Sequence, residues 1–428
     1  MMQSKISVRS KIGYGAGEFS SSIFFTITSF WLMNFLTDEV QLSAALAGTA
    51  LLVGKIWDAA IDPFIGHFSD HTRSRIGRRR PYILIFAVPL GAAFVLMFRS
   101  PGIEAQTGKF IWAMLTYTFF CTVYSFTNIP YNSLLPEMTS DYNERTNISG
   151  YKMSFAVIGT LLGAGAAMPI MAVFGGGSAG FVGMSAIFGF LAALSLLVTF
   201  FSVREPPAQA KPKGENVGKS LKDAFSNRPY LLLVSAWFTN STAMAILQTM
   251  LIYFYKYILD DEAGVTLAMI TLLVVSLLAI PFWVWAARKI GKKIAYILGM
   301  FLTMAAVLIM AFTGHLLGSG TLVVMAVAGI GFSSHYVLPW SMAPDTIEYG
   351  YFRSGVRREG IYYSIWTFVI ALGGAFAGFL VGQGLDMFGY IPNISQTSAS
   401  ALGIRLLIGP LPTILLLLGN LALFFYPL

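Results

Sequence analysis

The sequence predicts an all-α membrane protein with about twelve transmembrane helices. Of its 428 residues, 56% are hydrophobic and 11% are charged, whereas soluble domains carry about 25% charged residues. Apolar stretches long enough to cross the hydrocarbon core, about 20 residues each, recur along the chain. A transmembrane barrel would instead show short alternating segments, so the spans are predicted to be helices.

Twelve apolar segments can be delimited, each bounded by polar or charged residues. They cover 14–37, 44–69, 81–100, 110–136, 148–174, 180–202, 229–258, 266–287, 294–314, 320–345, 359–385 and 402–427. The lone cysteine, Cys121, lies within the fourth segment, so no disulfide framework is expected and a packing role is favoured.

The basic residues follow a one-sided pattern. Of 28 Lys and Arg, 22 lie in the N-terminal tail and in alternate connections, four lie in the other connections and two lie inside helices. Because the basic side faces the cytoplasm, both termini are expected there, in a multi-pass inner-membrane protein. Topology thus accounts for the net charge of +8, and no nucleic-acid partner is expected.

A hydrophilic interval divides the helices six from six. Residues 204–228 are rich in Pro, Gly and Lys, as linkers are. The prediction is an N-terminal half, 1–203, a cytoplasmic linker, 204–228, and a C-terminal half, 229–428. Within the linker, 219–225 can form a short amphipathic helix on the membrane surface.

An internal repeat supports this division. The motif GRRRPYIL, beginning at Gly77, recurs 214 residues later as GKKIAYIL, beginning at Gly291. Each copy follows the second helix of its half. Such a repeat predicts parallel six-helix halves around a central site.

The second predicted helix carries three charged residues within the membrane: Lys55, Asp58 and Asp62. Their spacings of three, four and seven place them on one helical face. A buried charge is costly and usually marks function. Two carboxylates on one dehydrated face repel each other unless a cation or proton lies between them, and a nearby lysine can replace that cation. This pattern favours ion coupling over a structural salt bridge, which would leave one carboxylate unaccounted for.

The segment from Gly66 to Arg80, GHFSDHTRSRIGRRR, resembles the signature of the major facilitator superfamily between helices 2 and 3. The resemblance implies twelve helices in two halves. It also implies that Asp70 and Arg73 help to close an inner gate. The alternative is a basic loop that only sets topology.

A narrower resemblance covers nearly the whole chain. The runs IWDAAIDP from Ile56, TRSR from Thr72, NIPY from Asn128, DTIEYG from Asp345 and FGYIPN from Phe388 resemble those of the glycoside–pentoside–hexuronide:cation symporter family. The resemblance implies cation-coupled transport of a sugar-like solute by alternating access, without a cofactor.

The resemblance also implies site residues. The cation ligands would be Asp58 and Asp62, which form the possible sodium site, with Ser125 in place of a threonine and Thr367 nearby. The substrate-binding residues would be Ser22, Lys55, Asn128, Asn132, Lys152, Tyr336 and Trp366, the last of these an aromatic at the level expected for the cavity.

Departures from the family pattern limit what can be carried over. Ser22 and Asn128 stand where the family has acidic residues that bind galactoside hydroxyls, Asn132 replaces a tryptophan, and Ala371 replaces a lysine. Galactoside specificity is therefore not implied. Ile61 replaces an asparagine of the ion site, which favours protons over sodium and leaves both ions open.

Two titratable residues allow a structural and a functional interpretation. Glu18, four residues before Ser22, either joins the coupling network or extends to the cytoplasm. His335 lies within a helix near the expected cavity, where a packing role is favoured over a proton relay.

The sequence therefore predicts a symporter for a glycoside or similar solute, active as a monomer in contact with membrane lipid. The alternative is a lysolipid or amphiphile symporter of the same superfamily, and a non-transporting sensor is least favoured because it needs no ion site. No metal-ligand cluster, catalytic triad or nucleotide motif is visible, so an enzyme is not predicted.

Overall fold

A computed structural model describes residues 6–72, 74–139, 142–205, 222–355 and 359–428. These residues form helices joined by short connections and contain no β-strand. The all-α prediction is therefore confirmed. By contacts between Cα atoms the chain divides into two compact units, Met1–Ala210 and Lys211–Leu428.

The N-terminal unit contains six long helices. They are α1 (Val8–Ile27), α2 (Ala44–His71), α3 (Arg80–Met97), α4 (Gln106–Met138), α5 (Tyr142–Val173) and α6 (Gly177–Ser202). Two π-helical turns, Thr28–Leu32 and Phe35–Glu39, prolong α1. Within this unit α1 packs on α5 and α6, α2 packs on α4, and α3 packs on α4 and α6.

The C-terminal unit contains α7 (Arg228–Tyr257), α8 (Gly264–Ile290), α9 (Lys292–Leu317), α10 (Thr321–Ser354), α11 (Glu359–Met387), α12 (Ser398–Ile408) and α13 (Pro410–Phe424). Here α7 packs on α11 and α13, and α10 packs on α8 and α9. Residues 222–225 are helical and form the described end of the predicted amphipathic helix. The rest of that helix lies outside the described residues.

Ten stretches of the described chain are long and apolar enough to cross a membrane. One of them, Lys292–Arg353, contains both α9 and α10. Helix α1 with its π-helical turns lies before the first of these stretches and is not one of the ten. Together they correspond to the twelve segments predicted from sequence. The last segment differs from the prediction of one unbroken helix, because it is interrupted at Gly409, immediately before Pro410.

Glycines permit close helix contacts in the N-terminal unit. A Cβ placed on Gly91 of α3 would lie 2.6 Å from the carbonyl oxygen of Gly189 on α6, and the reverse distance is 2.8 Å. Likewise a Cβ on Gly159 of α5 would lie 2.9 Å from the Phe19 oxygen of α1. Such small residues let backbones approach where lipid supplies no hydrophobic force between helices.

Candidate functional site

The three charged residues of α2 form an asymmetric cluster with α4. The Lys55 ammonium lies 3.0 Å from Asp58 Oδ2, and the Ser125 hydroxyl donates a hydrogen bond of 2.8 Å to Asp58 Oδ1. Asp58 is buried. Both of its carboxylate oxygens therefore have a partner from this chain.

Asp62 lies one turn further along the same face and is only partly buried. Its Oδ1 is shielded from solvent and has no hydrogen-bond partner. Ser125 is nearby, but a hydroxyl has one proton to donate, and that proton is directed to Asp58. A buried oxygen without a donor is unfavourable, so Asp62 is the position where an added proton or cation would be stabilised.

Side chains of α4 pack against this cluster. Tyr117 and Cys121 of α4 lie beside Lys55, and the Tyr117 ring fills the space where a side chain on Gly54 would be. One turn along α2, Trp57 Nε1 donates a hydrogen bond of 2.9 Å to the Thr122 hydroxyl. The α2–α4 contact thus keeps the ion pair in a fixed geometry.

A second polar row joins α1, α4 and α5. Lys152 Nζ lies 3.2 Å from Glu18 and donates a hydrogen bond of 2.7 Å to the Asn132 side chain. Asn132 in turn donates to Asn128, which donates to the Tyr124 hydroxyl. Glu18 therefore pairs with Lys152 of α5, and its place in the coupling network stays a prediction.

Ser22 does not belong to this row. It is buried at the α1–α5 contact, where its Cβ lies 3.0 Å from the position that a Cβ on Gly159 would occupy. Its role as a solute ligand stays a prediction.

The predicted aromatic residues of the C-terminal unit fall into exposed and buried sets. Tyr336 and Trp340 are 44% and 43% exposed, whereas Trp366 is fully buried. The Trp366 ring stacks on Trp237 at a centroid distance of 4.7 Å, and Trp237 stacks on His335 at 4.5 Å. Tyr336 and Trp340 thus present exposed ring surface, and Trp366 packs edge-on against Trp340 at a centroid distance of 5.9 Å.

His335 is held by hydrogen bonds within the C-terminal unit. Its Nδ1 lies 2.9 Å from the Tyr296 hydroxyl, and Asn240 donates to that hydroxyl at 2.8 Å. These bonds and the stacking on Trp237 agree with the packing role favoured from sequence.

Other predicted positions are less connected. The Thr367 hydroxyl is exposed and donates to the Tyr363 and Ser364 oxygens of its own helix, both at 3.1 Å. Arg73 and the side chain of Asp70 lie outside the described residues, so the gate stays a prediction. Within the described residues, no three His, Cys, Asp or Glu side chains group together as a metal site.

Sequence reasoning missed Tyr124, which ends the polar row. Tyr124, Asn128 and Asn132 follow one another at intervals of four on α4, so helical periodicity could have placed all three on one face. The tyrosine gave no separate signal because aromatic residues are abundant throughout this chain.

Comparison with known proteins identifies the family. Residues 13–428 match the family described as MFS/sugar transport protein. The chain is 32% identical to the isoprimeverose transporter of Lactiplantibacillus pentosus, covering 97% of this chain and 88% of that protein. It is 29% identical to the putative glycoside/cation symporter YagG of Escherichia coli, covering 96% and 90%.

A solved structure shares the fold. The bacterial homolog of the human lysosomal transporter Spinster, inward-facing and unoccupied, aligns with a TM-score of 0.70 over 98% of this chain and 95% of that one. At 14% identity the likeness concerns the fold alone. With a family match over nearly its whole length and full-length relatives, the chain belongs to the MFS/sugar transport protein family.

Proposed function

We propose that this protein is a cation-coupled symporter of a glycoside or another sugar-like solute, working by alternating access. The family description supports sugar transport. The relatives named as an isoprimeverose transporter and a glycoside/cation symporter support both the solute class and the coupling.

One observation carries the coupling proposal: two carboxylates share one face of α2, but only one of them is satisfied. Lys55 and Ser125 partner Asp58, while a buried oxygen of Asp62 has no donor. Asp62 is therefore our candidate for the carboxylate that gains and loses the coupling ion.

We favour the proton as that ion, with sodium as the alternative. Sodium is a hard cation that, like the hard divalent cations, needs about six oxygen ligands to offset dehydration, whereas a proton needs one carboxylate. Lys55 already places a positive charge on Asp58, and Ile61 offers no oxygen from its side chain. A sodium ion would find few free ligands beside Asp62.

The solute is proposed to meet the polar row of the N-terminal unit. Asn128, Asn132 and Lys152 offer donors and acceptors suited to sugar hydroxyls. Asn128 lies three residues after Ser125 on α4, so that helix bears a contact to the cation cluster and a contact to the solute row. A shift of α4 is thereby expected to couple the two. From the family resemblance, Ser22 and Tyr336 remain proposed solute ligands and Thr367 remains a proposed cation ligand. Trp366, predicted from its level in the helix, is fully buried, so a direct contact with solute would require the surrounding rings to move.

The protein is expected in the inner membrane as a monomer among lipids, with both termini in the cytoplasm. Its halves would be residues 1–203 and 229–428, with the linker 204–228 on the cytoplasmic side. Asp70 and Arg73 are proposed to help close the inner gate.

Uptake by proteoliposomes tests the proposal. We expect an inward proton gradient to drive accumulation of a solute chosen by thermal-shift screening, starting with isoprimeverose. Asp62→Asn should abolish accumulation while solute exchange at equilibrium persists. The exposed carboxylate variant Asp386→Asn is the matched control.

Three outcomes would contradict parts of this proposal. Unchanged accumulation by Asp62→Asn would remove the coupling site. Stimulation by sodium without any response to protons would reverse the choice of ion. Transport of lysolipids but of no sugar would replace the solute class with the amphiphile alternative.

A further inference from the structure

A groove of about 830 Å³ opens on the surface of the N-terminal unit, where α3 ends and α5 connects to α6. Most of its wall is apolar and comes from one face of α6. That wall includes Val182, Ala186, Ile187, Phe190 and Leu191, with Phe174 from the end of the α5 region.

The polar end of the groove carries a cation. Arg99, two residues beyond α3, lines the groove and is exposed. Its backbone is fixed because Trp112 Nε1 donates to the Arg99 oxygen at 3.1 Å. Within the described chain its guanidinium has neither an ion pair nor a hydrogen bond, and the hydroxyls of Ser100 and Ser178 beside it are equally free.

Lipid is the natural solvent of the apolar wall. Ile187 and Phe190 are 37% and 67% exposed, and they belong to Gly177–Ser202, one of the stretches apolar enough to span a membrane. From Ala179 to Leu191 the wall follows α6 for about 18 Å, at 1.5 Å per residue. One leaflet of the hydrocarbon core is about 15 Å thick, so the groove matches the depth of a single acyl chain.

We propose that this groove binds an anionic phospholipid, with its phosphate on Arg99 and one acyl chain along α6. A guanidinium forms bidentate bonds with phosphate, and basic residues attract anionic headgroups. The Glu39 carboxylate lies near Gly177 and would repel a phosphate there. The phosphate is therefore expected on the Arg99 side of the opening. This site is independent of the proposed coupling and solute sites.

Lipid binding to the purified full-length protein tests the charge. We expect native mass spectrometry after exchange into phosphatidylglycerol or phosphatidylcholine to show preferential retention of phosphatidylglycerol. Arg99→Gln should weaken that retention about fivefold, which corresponds to about 1 kcal/mol, and should leave phosphatidylcholine unchanged. The control Lys109→Gln removes the same charge from the first turn of α4, where Lys109 Nζ contacts the Gln41 oxygen at 3.3 Å instead of the groove.

A second pair of variants tests the groove itself. Ala186 is exposed on the wall, so Ala186→Phe should fill the groove and reduce retention of both lipids, whereas Val198→Phe, exposed on the same helix outside the groove, should not. Equal phosphatidylglycerol retention by wild type and Arg99→Gln would overturn the proposal. So would an equal loss in Lys109→Gln, or a change in oligomeric state in Ala186→Phe without loss of lipid.

Discussion

The substitution Lys55→Gln should turn the site on α2 into one that binds sodium. In the native protein the Lys55 ammonium lies 3.0 Å from Asp58, and under the proposed function it takes the place of an added cation. Glutamine keeps a similar length but removes the charge. Asp58 and Asp62 would then share one face with no positive charge between them, and a metal cation becomes the natural replacement.

The size of the effect follows from the burial of the pair. Removing one partner from a fully buried ion pair costs about 3–5 kcal/mol, but the Lys55 side chain is 29% exposed, so we expect a smaller loss, about 1–2 kcal/mol. Sodium at ten times its Kd would return about 1.4 kcal/mol.

Thermal unfolding of purified protein in sodium chloride or potassium chloride of equal ionic strength measures the effect. For wild type, and likewise for Lys55→Arg, the Tm in sodium chloride should equal the Tm in potassium chloride. Lys55→Gln should have a lower Tm than wild type, and sodium chloride should raise that Tm relative to potassium chloride. Adding Asp62→Asn to Lys55→Gln removes the second carboxylate and should abolish the sodium response. If sodium stabilises wild type as much as Lys55→Gln, Lys55 does not act as the resident cation and the reasoning fails.

Three further variants test packing, electrostatics and solute binding. Gly91→Ala places a Cβ 2.6 Å from a backbone oxygen of α6 and should lower the free energy of unfolding by about 1–3 kcal/mol. The control Gly150→Ala has open space around the added Cβ and should not lower it. Equal Tm values for the two variants would contradict the close contact between α3 and α6. Glu137→Gln breaks an ion pair of 2.9 Å with the partly buried Arg78 and one of 2.8 Å with the buried Arg79. It should lower Tm more than Asp345→Asn, because the Asp345 side chain is 43% exposed and its pair with a lysine contributes about 0–1 kcal/mol. Lys152→Gln combined with Glu18→Gln, which leaves no unpaired carboxylate, should raise the KM for solute several-fold with proton coupling intact. Loss of coupling at unchanged KM would place this pair in the cation site instead.

The fold was largely predictable because the solvent dictates it. A chain in lipid must satisfy its backbone within helices, so long apolar stretches reveal the spans without knowledge of tertiary contacts. The boundaries were less accurate. Helix α1 begins at Val8 instead of at residue 14. It also continues through π-helical turns, which could not be predicted because an extra residue per turn leaves no mark on an apolar sequence. The break at Gly409 had a signal in Pro410, which lacks the backbone N–H that a continuous helix needs.

The candidate site was predictable in outline only. Helical spacing placed Lys55, Asp58 and Asp62 on one face, and the structure brings the first two together. Spacing on α2 does not say which carboxylate receives the Ser125 hydroxyl, since that depends on how α4 is positioned against α2. The same holds for Glu18, whose pairing with Lys152 depends on the contact between α1 and α5.

Under the proposed function, these pairings explain why transport would require the coupling ion. Lys55 with Asp58 and Lys152 with Glu18 are each neutral as pairs, so Asp62 is the one charge among these five residues that has no opposite charge paired to it. Closing the transporter around its solute removes water, and an uncompensated carboxylate in a dry interior is costly. Protonation of Asp62 makes the group neutral and lowers that cost. A carrier that holds solute while Asp62 is deprotonated would instead be held back from closing. In the empty carrier Lys55 can take the place of the coupling ion beside the two carboxylates, so the unloaded carrier is expected to return. Asp62→Asn should therefore close readily without a proton and exchange solute while failing to accumulate it.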